Sequence, residues 1–233
     1  MIFAKVKDTF LEKLHYKIFG QSMGTEMKKF VGSLGVTAFS TVITGIILLA
    51  LNIISGRFMG PVEYGKYQLA YSVSSILIIF ILVGVNISVG RSSFLDSTEK
   101  KKIIGTTFWF AFVNVLIISS LVYFFGGFAK FFKIPQEVLI ISLIFSISLA
   151  FYNLIKSFYQ AENKFKLIAT LEILNYIAVA FIFGFFLISG KKSFEYILYS
   201  LIGGYSVFII WGMKEIFRSA FYFSLETLKN LMK

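Results

Sequence analysis

The chain has no cysteine, one histidine and two prolines among its 233 residues, and only 15% of its residues are charged. Without cysteine there can be no disulfide, no thiolate metal site and no cysteine nucleophile. The lone histidine, His15, excludes a histidine-paired metal site and the H-E-x-x-H arrangement. It sits among charges near the N-terminus and reads as an exposed surface residue. A phosphate-binding loop is missing as well. The nearest run, GFFLISGKK at 184–192, has one residue too many between its glycines and no Ser or Thr after its first lysine. No cofactor and no metal are expected. Residues 1–30 carry Lys5, Lys7, Asp8, Glu12, Lys13 and Lys17, so they contain no uninterrupted apolar core of a signal peptide.

Apolar residues are abundant instead. They make up 57% of the chain, with 29 Phe and 12 Tyr, and the mean hydropathy is +0.81. A soluble domain holds roughly 45–50% apolar and about 25% charged residues. A chain this short has too small an interior to hide such an excess. Lipid is its natural solvent, and a soluble enzyme is excluded; no enzymatic activity is expected. The formal charge of +11 would suggest nucleic acid in a soluble protein. Among long apolar runs it fits cytoplasmic loops facing anionic lipid, so the expected partners are membrane lipids and not nucleic acid.

A membrane-spanning helix needs ~20 mostly apolar residues. Six stretches meet or approach this: 31–55, 67–90, 103–125, 136–156, 167–189 and 196–213. The connections GRFMGPVEYGK, RSSFLDSTEKKK, GGFAKFFKI, KSFYQAENKFK and GKKSFEY are short and polar, and Pro61 and Pro135 fall within or beside them. With six spans, 17 Lys and Arg lie on the side of the termini and 6 on the other. The heavier side is cytoplasmic by the positive-inside rule. The predicted fold is all-α: a six-helix transmembrane lobe at 31–213, both termini cytoplasmic, flanked by amphipathic segments at 1–30 and 214–233. From Glu215, residues Glu215, Arg218, Glu226 and Lys229 fall on one helical face, and Ile216, Ala220, Phe221, Leu225 and Leu228 on the other. That pattern suits a helix in the headgroup layer or one packed on a partner.

Polar residues enter the spans in a pattern. Ser33, Thr37, Ser40, Thr41, Thr44, Asn52 and Ser55 occupy about a third of the first helix at ~100° per residue. Such a stripe avoids lipid, so it faces either another helix or a transport cavity. The fourth span presents Ser142, Ser146, Asn153, Lys156, Ser157 and Gln160 on one face. Glu172, with Asn175 one turn beyond, is the only acid well inside a span. Lys156 is its expected partner, in a structural ion pair or in a substrate or proton site. Ser200, Gly203, Gly204 and Val207 of the sixth span read as a packing face.

Two segments carry a family resemblance. GRFMGPVEYGKYQLAYSVSSILIIFILVGVNISVGRSSF at 56–94 resembles the first extracytoplasmic loop and second span of oligosaccharide flippases, the polysaccharide-transporter branch of the multidrug/oligosaccharidyl-lipid/polysaccharide exporter superfamily. Arg57, Gly60, Pro61, Tyr64, Gly65, Tyr67 and Arg91 carry the match. KSFYQAENKFKLIATLEIL at 156–174 is similar to that family's fourth-to-fifth connection, through Gln160, Asn163, Lys164, Phe165 and Lys166. The resemblance runs from about residue 28 onward. It implies alternating-access transport of lipid-linked oligosaccharide or polysaccharide precursors across the cytoplasmic membrane. It also implies a cavity between two six-helix lobes, of which this chain holds one; a second copy or a separate chain is the expected second lobe. Candidate cavity residues are Thr37, Thr41, Thr44, Asn52, Arg91, Asn153, Lys156, Glu172 and Asn175, with Arg91 and Lys156 placed to attract phosphate. An ion-coupled exporter of the same superfamily and a non-transporting membrane subunit are the alternatives.

Overall fold

The computed structural model describes residues 24–92, 97–124 and 134–232; the predicted amphipathic segment at 1–30 lies almost wholly outside them. Among the described residues there are seven α-helices and no strand: α1 Thr25–Leu82, α2 Val85–Arg91, α3 Ser97–Phe124, α4 Gln136–Ala161, α5 Phe165–Ile188, α6 Glu195–Ser219 and α7 Leu225–Leu231. Five of them are long and apolar enough to cross a membrane, and in α1 the apolar stretch runs for 52 residues, Val31–Leu82. At ~1.5 Å per residue a straight helix of that length would measure about 78 Å, more than twice the ~30 Å of hydrocarbon.

α1 is not straight. Its backbone leaves the helical region at one residue, Gly60, with φ +80° and ψ 171°. That conformation is strained for any residue with a Cβ. Pro61 follows, lacking the N–H that a first helical position would leave unpaired in any case. The two halves fold back on each other: the Tyr64 hydroxyl reaches Asn52 Oδ1 at 3.4 Å, although twelve residues of straight helix would hold them roughly 18 Å apart. The expected polar loop at 56–66 is therefore helical up to a one-residue reversal. Polarity marked where the chain leaves the apolar layer, not where helix ends.

Two clusters of charge mark opposite ends of the bundle. At one, Lys66 pairs with Glu63 at 3.1 Å and with Glu137 at 3.0 Å, and Glu63 accepts the Phe194 N–H at 3.0 Å. The turn of α1, the start of α4 and the start of α6 meet there. At the other, Lys100 pairs with Glu162 and, at 3.0 Å, with Glu215, while Lys164 lies 2.7 Å from Glu162. The start of α3, the turn after α4 and the end of α6 meet there. Segments that the charge count assigns to one side thus share one end. Burial pushes the Glu162 carboxyl up, but hydrogen bonds from Lys100 and Lys164 outweigh it and hold the group below its ordinary value.

Between the ends the core is apolar and aromatic. Tyr64, Tyr67 and Tyr71 follow one another at 5.8 and 6.2 Å between ring centroids. Phe145 continues the column to Tyr205, which stacks on Tyr152 at 4.7 Å. α6 packs through its small residues, as expected. A Cβ on Gly204 would stand 2.2 Å from Val179 Cγ2 and 2.5 Å from Asn175 Oδ1.

The C-terminal segment departs from a continuous amphipathic helix. The helix of α6 stops at Ser219, and α7 restarts at Leu225 with the Ser224 hydroxyl accepting the Thr227 N–H. Ile216 is buried and Ala220 half-buried, whereas Phe221 is 94% exposed, so the predicted apolar face is split. The cause is the docking of the 219–224 turn on α3. Trp109 Nε1 donates to the Ala220 carbonyl at 2.7 Å, and the Ser224 N–H donates to Thr106 Oγ1 at 3.0 Å. Gly105 leaves room for the turn.

Candidate functional site

α2 ends in Arg91 and packs against the last turns of α4. Close approach is possible because residue 90 is glycine; a Cβ there would stand 2.9 Å from Gln160 Oε1. α4 turns Asn153, Lys156, Ser157 and Gln160 toward α2, as the spacing of three and four residues predicts. Between them lies a cleft of about 500 Å³, lined among others by Asn86, Arg91, Asn153, Lys156, Gln160 and Phe165. Its lining holds two cations and three side-chain amides and no carboxylate. Arg91 is exposed and has no acidic partner among the described residues. Asn153 donates its Nδ2 to the Leu149 carbonyl at 2.9 Å. Such a set of donors suits an anion with several oxygens.

Glu172 stands behind this cleft and does not line it. Its side chain is 9% exposed, and it pairs with Lys156 as the sequence predicts. The Lys156 side chain is 30% exposed and reaches both the pair and the cleft. Two neutral hydroxyls also lie near the carboxylate: Ser40 from α1 at 3.4 Å from Oε2, and Tyr152 from α4 at 3.4 Å from Oε1. Glu172 therefore ties α1, α4 and α5 together.

The remaining candidates lie elsewhere. The stripe of α1 turns partly inward: Ser40, Thr44 and Ser55 are buried, while Thr41 is exposed. The hydroxyls of Thr37, Thr41 and Thr44 bond carbonyls of their own helix, a local bonding that is neither a bond to another helix nor a cavity lining. Asn52 sits near the opposite end beside Tyr64. Asn175 is fully buried against Gly204, with no hydrogen-bond partner for its amide among the described residues. None of these five lines the cleft. Asn86 and Gln160 were missed as site residues; Gln160 shares the α4 face with Asn153 and Lys156, which was the available signal. Among the described residues no group of His, Cys, Asp and Glu could hold a metal ion.

Comparison with curated proteins finds no match, and comparison with solved structures finds none either. The family model described as polysaccharide biosynthesis protein matches residues 30–233, which is nearly all of the chain, and the chain belongs to that family.

Proposed function

We propose that the chain is one lobe of a transporter, not an enzyme, that moves lipid-linked oligosaccharide or polysaccharide precursors across the cytoplasmic membrane by alternating access. The lobe crosses the membrane six times, α1 twice, with the Lys100–Glu162–Glu215 end inside the cell. The cleft carries this reading: a donor-lined, carboxylate-free opening at the cation-rich end of a bundle that is otherwise apolar. A phosphate headgroup would enter it between Arg91 and Lys156, with its lipid tail in the hydrocarbon and its sugar toward a second lobe, which a second copy or another chain would supply. Family membership supports the class of substrate, and five long apolar helices support the membrane setting. In the ion-coupled alternative Glu172 would be the exchanging acid; its pairing with Lys156 favours the phosphate reading.

The test is translocation of a fluorescent lipid-linked oligosaccharide in proteoliposomes. Arg91→Gln and the charge-balanced Lys156→Met/Glu172→Gln variant should each lose most of the transport while remaining folded. Unchanged transport in both would remove the cleft from the mechanism.

A further inference from the structure

Lys156 belongs to two arrangements at once. Its ammonium bonds Glu172 behind the cleft, and its side chain forms part of the cleft wall. A lysine is a point charge on a flexible stem, so a small swing changes its partner. Glu172 is a carboxylate bonded to a lysine of a lining that otherwise holds only donors and neutral groups. When Lys156 leaves, Glu172 keeps the Tyr152 hydroxyl beside it, and the Ser40 hydroxyl, which donates to the Thr37 carbonyl at 2.9 Å, stands 3.4 Å away and can turn to it, which lowers the cost of separating the pair. We infer that Glu172 is a built-in competitor for the anion site: its carboxylate holds Lys156 while the cleft is empty, and the phosphoryl oxygens of the ligand must take the lysine from it. The inference rests on the anion cleft of the proposed function. It gives Glu172 a role in setting affinity, so that the headgroup is bound loosely enough to be released on the far side. It also gives ligand uptake a route to α1, because Ser40 of that helix stands 3.4 Å from the carboxylate that Lys156 abandons.

The competitor role has a signature that a structural or positioning role lacks. A carboxylate that merely positions Lys156 helps binding, and its removal weakens affinity. A competitor opposes binding, and its removal strengthens affinity. The probes are inorganic pyrophosphate, titrated calorimetrically into the detergent-solubilised protein, and farnesyl pyrophosphate, titrated into the protein in nanodiscs. Glu172→Gln should bind both about fivefold more tightly than the wild type, the upper scale of one ion pair of a partly exposed lysine. Glu172→Asp, which keeps the charge but shortens the reach, should shift affinity in the same direction and serves if the glutamine variant does not fold. Lys156→Met/Glu172→Gln should lose the gain. Affinity unchanged or weakened in the Glu172 variants, with binding still dependent on Arg91 and Lys156, overturns the competitor role and leaves the cleft intact. Pyrophosphate binding indifferent to Arg91 and Lys156 overturns the cleft itself. If both roles hold, farnesyl pyrophosphate binding tighter than pyrophosphate identifies a lipid headgroup as the anion, and equal affinities identify a free one.

Discussion

Gly105→Ala should release the C-terminal turn from the bundle. A Cβ at 105 would stand 2.2 Å from the Ser219 carbonyl oxygen and 2.6 Å from that of Tyr222. Both are backbone atoms, so no side-chain rotation relieves the clash; the turn must retreat by about 1 Å to reach ordinary contact. The same turn accepts the indole of Trp109 at 2.7 Å and donates from Ser224 to Thr106 at 3.0 Å. A shift of that size stretches both bonds past useful length. Overpacking costs typically 1–3 kcal/mol, each bond is worth about 0.5–1.5 kcal/mol, and alanine returns roughly 1 kcal/mol of helix propensity over glycine. The net local cost is about 3 kcal/mol, which raises the undocked fraction roughly a hundredfold. Hydrogen–deuterium exchange reads this directly: amides of 222–231 should exchange about two decades faster, while those of α4 and α5 stay as they were. In a Trp211→Phe background Trp109 is the sole tryptophan, and its emission should shift as the indole loses its carbonyl. Gly45→Ala is the control, since nothing lies within 4 Å of a Cβ there, and it should leave both signals alone. Unaltered exchange and emission in Gly105→Ala would mean that the turn does not rest on α3.

Acid should loosen the Lys100–Glu162–Glu215 end. A carboxyl held below its ordinary value stabilises the fold above that value and loses the contribution as pH falls through the lowered one; melting temperature should drop below about pH 4.5, and Glu162→Gln should flatten the drop. Reporter fusions after Lys101 and Lys164 should report the cytoplasm, and fusions near Val62 and Lys192 the outside; opposite reports from Lys101 and Lys164, or from Val62 and Lys192, contradict six crossings. Single cysteines at Asn153 and Gln160 should react with a water-soluble thiol reagent faster than cysteines at Ser40 or Thr44, which are buried; the reverse order would place the wet surface on α1. Gly204→Leu should prevent α5 and α6 from packing and abolish the monodisperse elution of the detergent-solubilised protein; normal elution would deny the close contact at Asn175.

The sequence was most informative where one residue type has few options. Glu172 inside an apolar run needs a partner, and the adjacent helix offers one cation at matching depth; the pair with Lys156 follows. Charge counting likewise separated the two ends, because burying a lysine is costly whatever its neighbours. Hydroxyls were less legible. Thr37, Thr41 and Thr44 satisfy themselves on their own helix, so their periodicity said little about a cavity. The Lys100–Glu162–Glu215 cluster joins three distant segments and leaves no local pattern. The boundary at 56–66 failed for a different reason: backbone hydrogen bonding carries α1 through polar sequence until Gly60 and Pro61 break it together.

That one-residue reversal bears on how the protein is made. Two apolar halves joined without a loop are close enough in sequence to enter the membrane as a single hairpin, in the proposed arrangement, and to pair as they do so. In the proposed six-crossing arrangement only a small tip would have to be carried across, bearing Arg57, Glu63 and Lys66. Glu63 and Lys66 already neutralise each other within that tip. A longer insertion at Gly60 would separate the halves and oblige each to enter the bilayer alone. Biogenesis should therefore be more sensitive to insertions at this residue than at Gly190, which lies in an ordinary turn between α5 and α6.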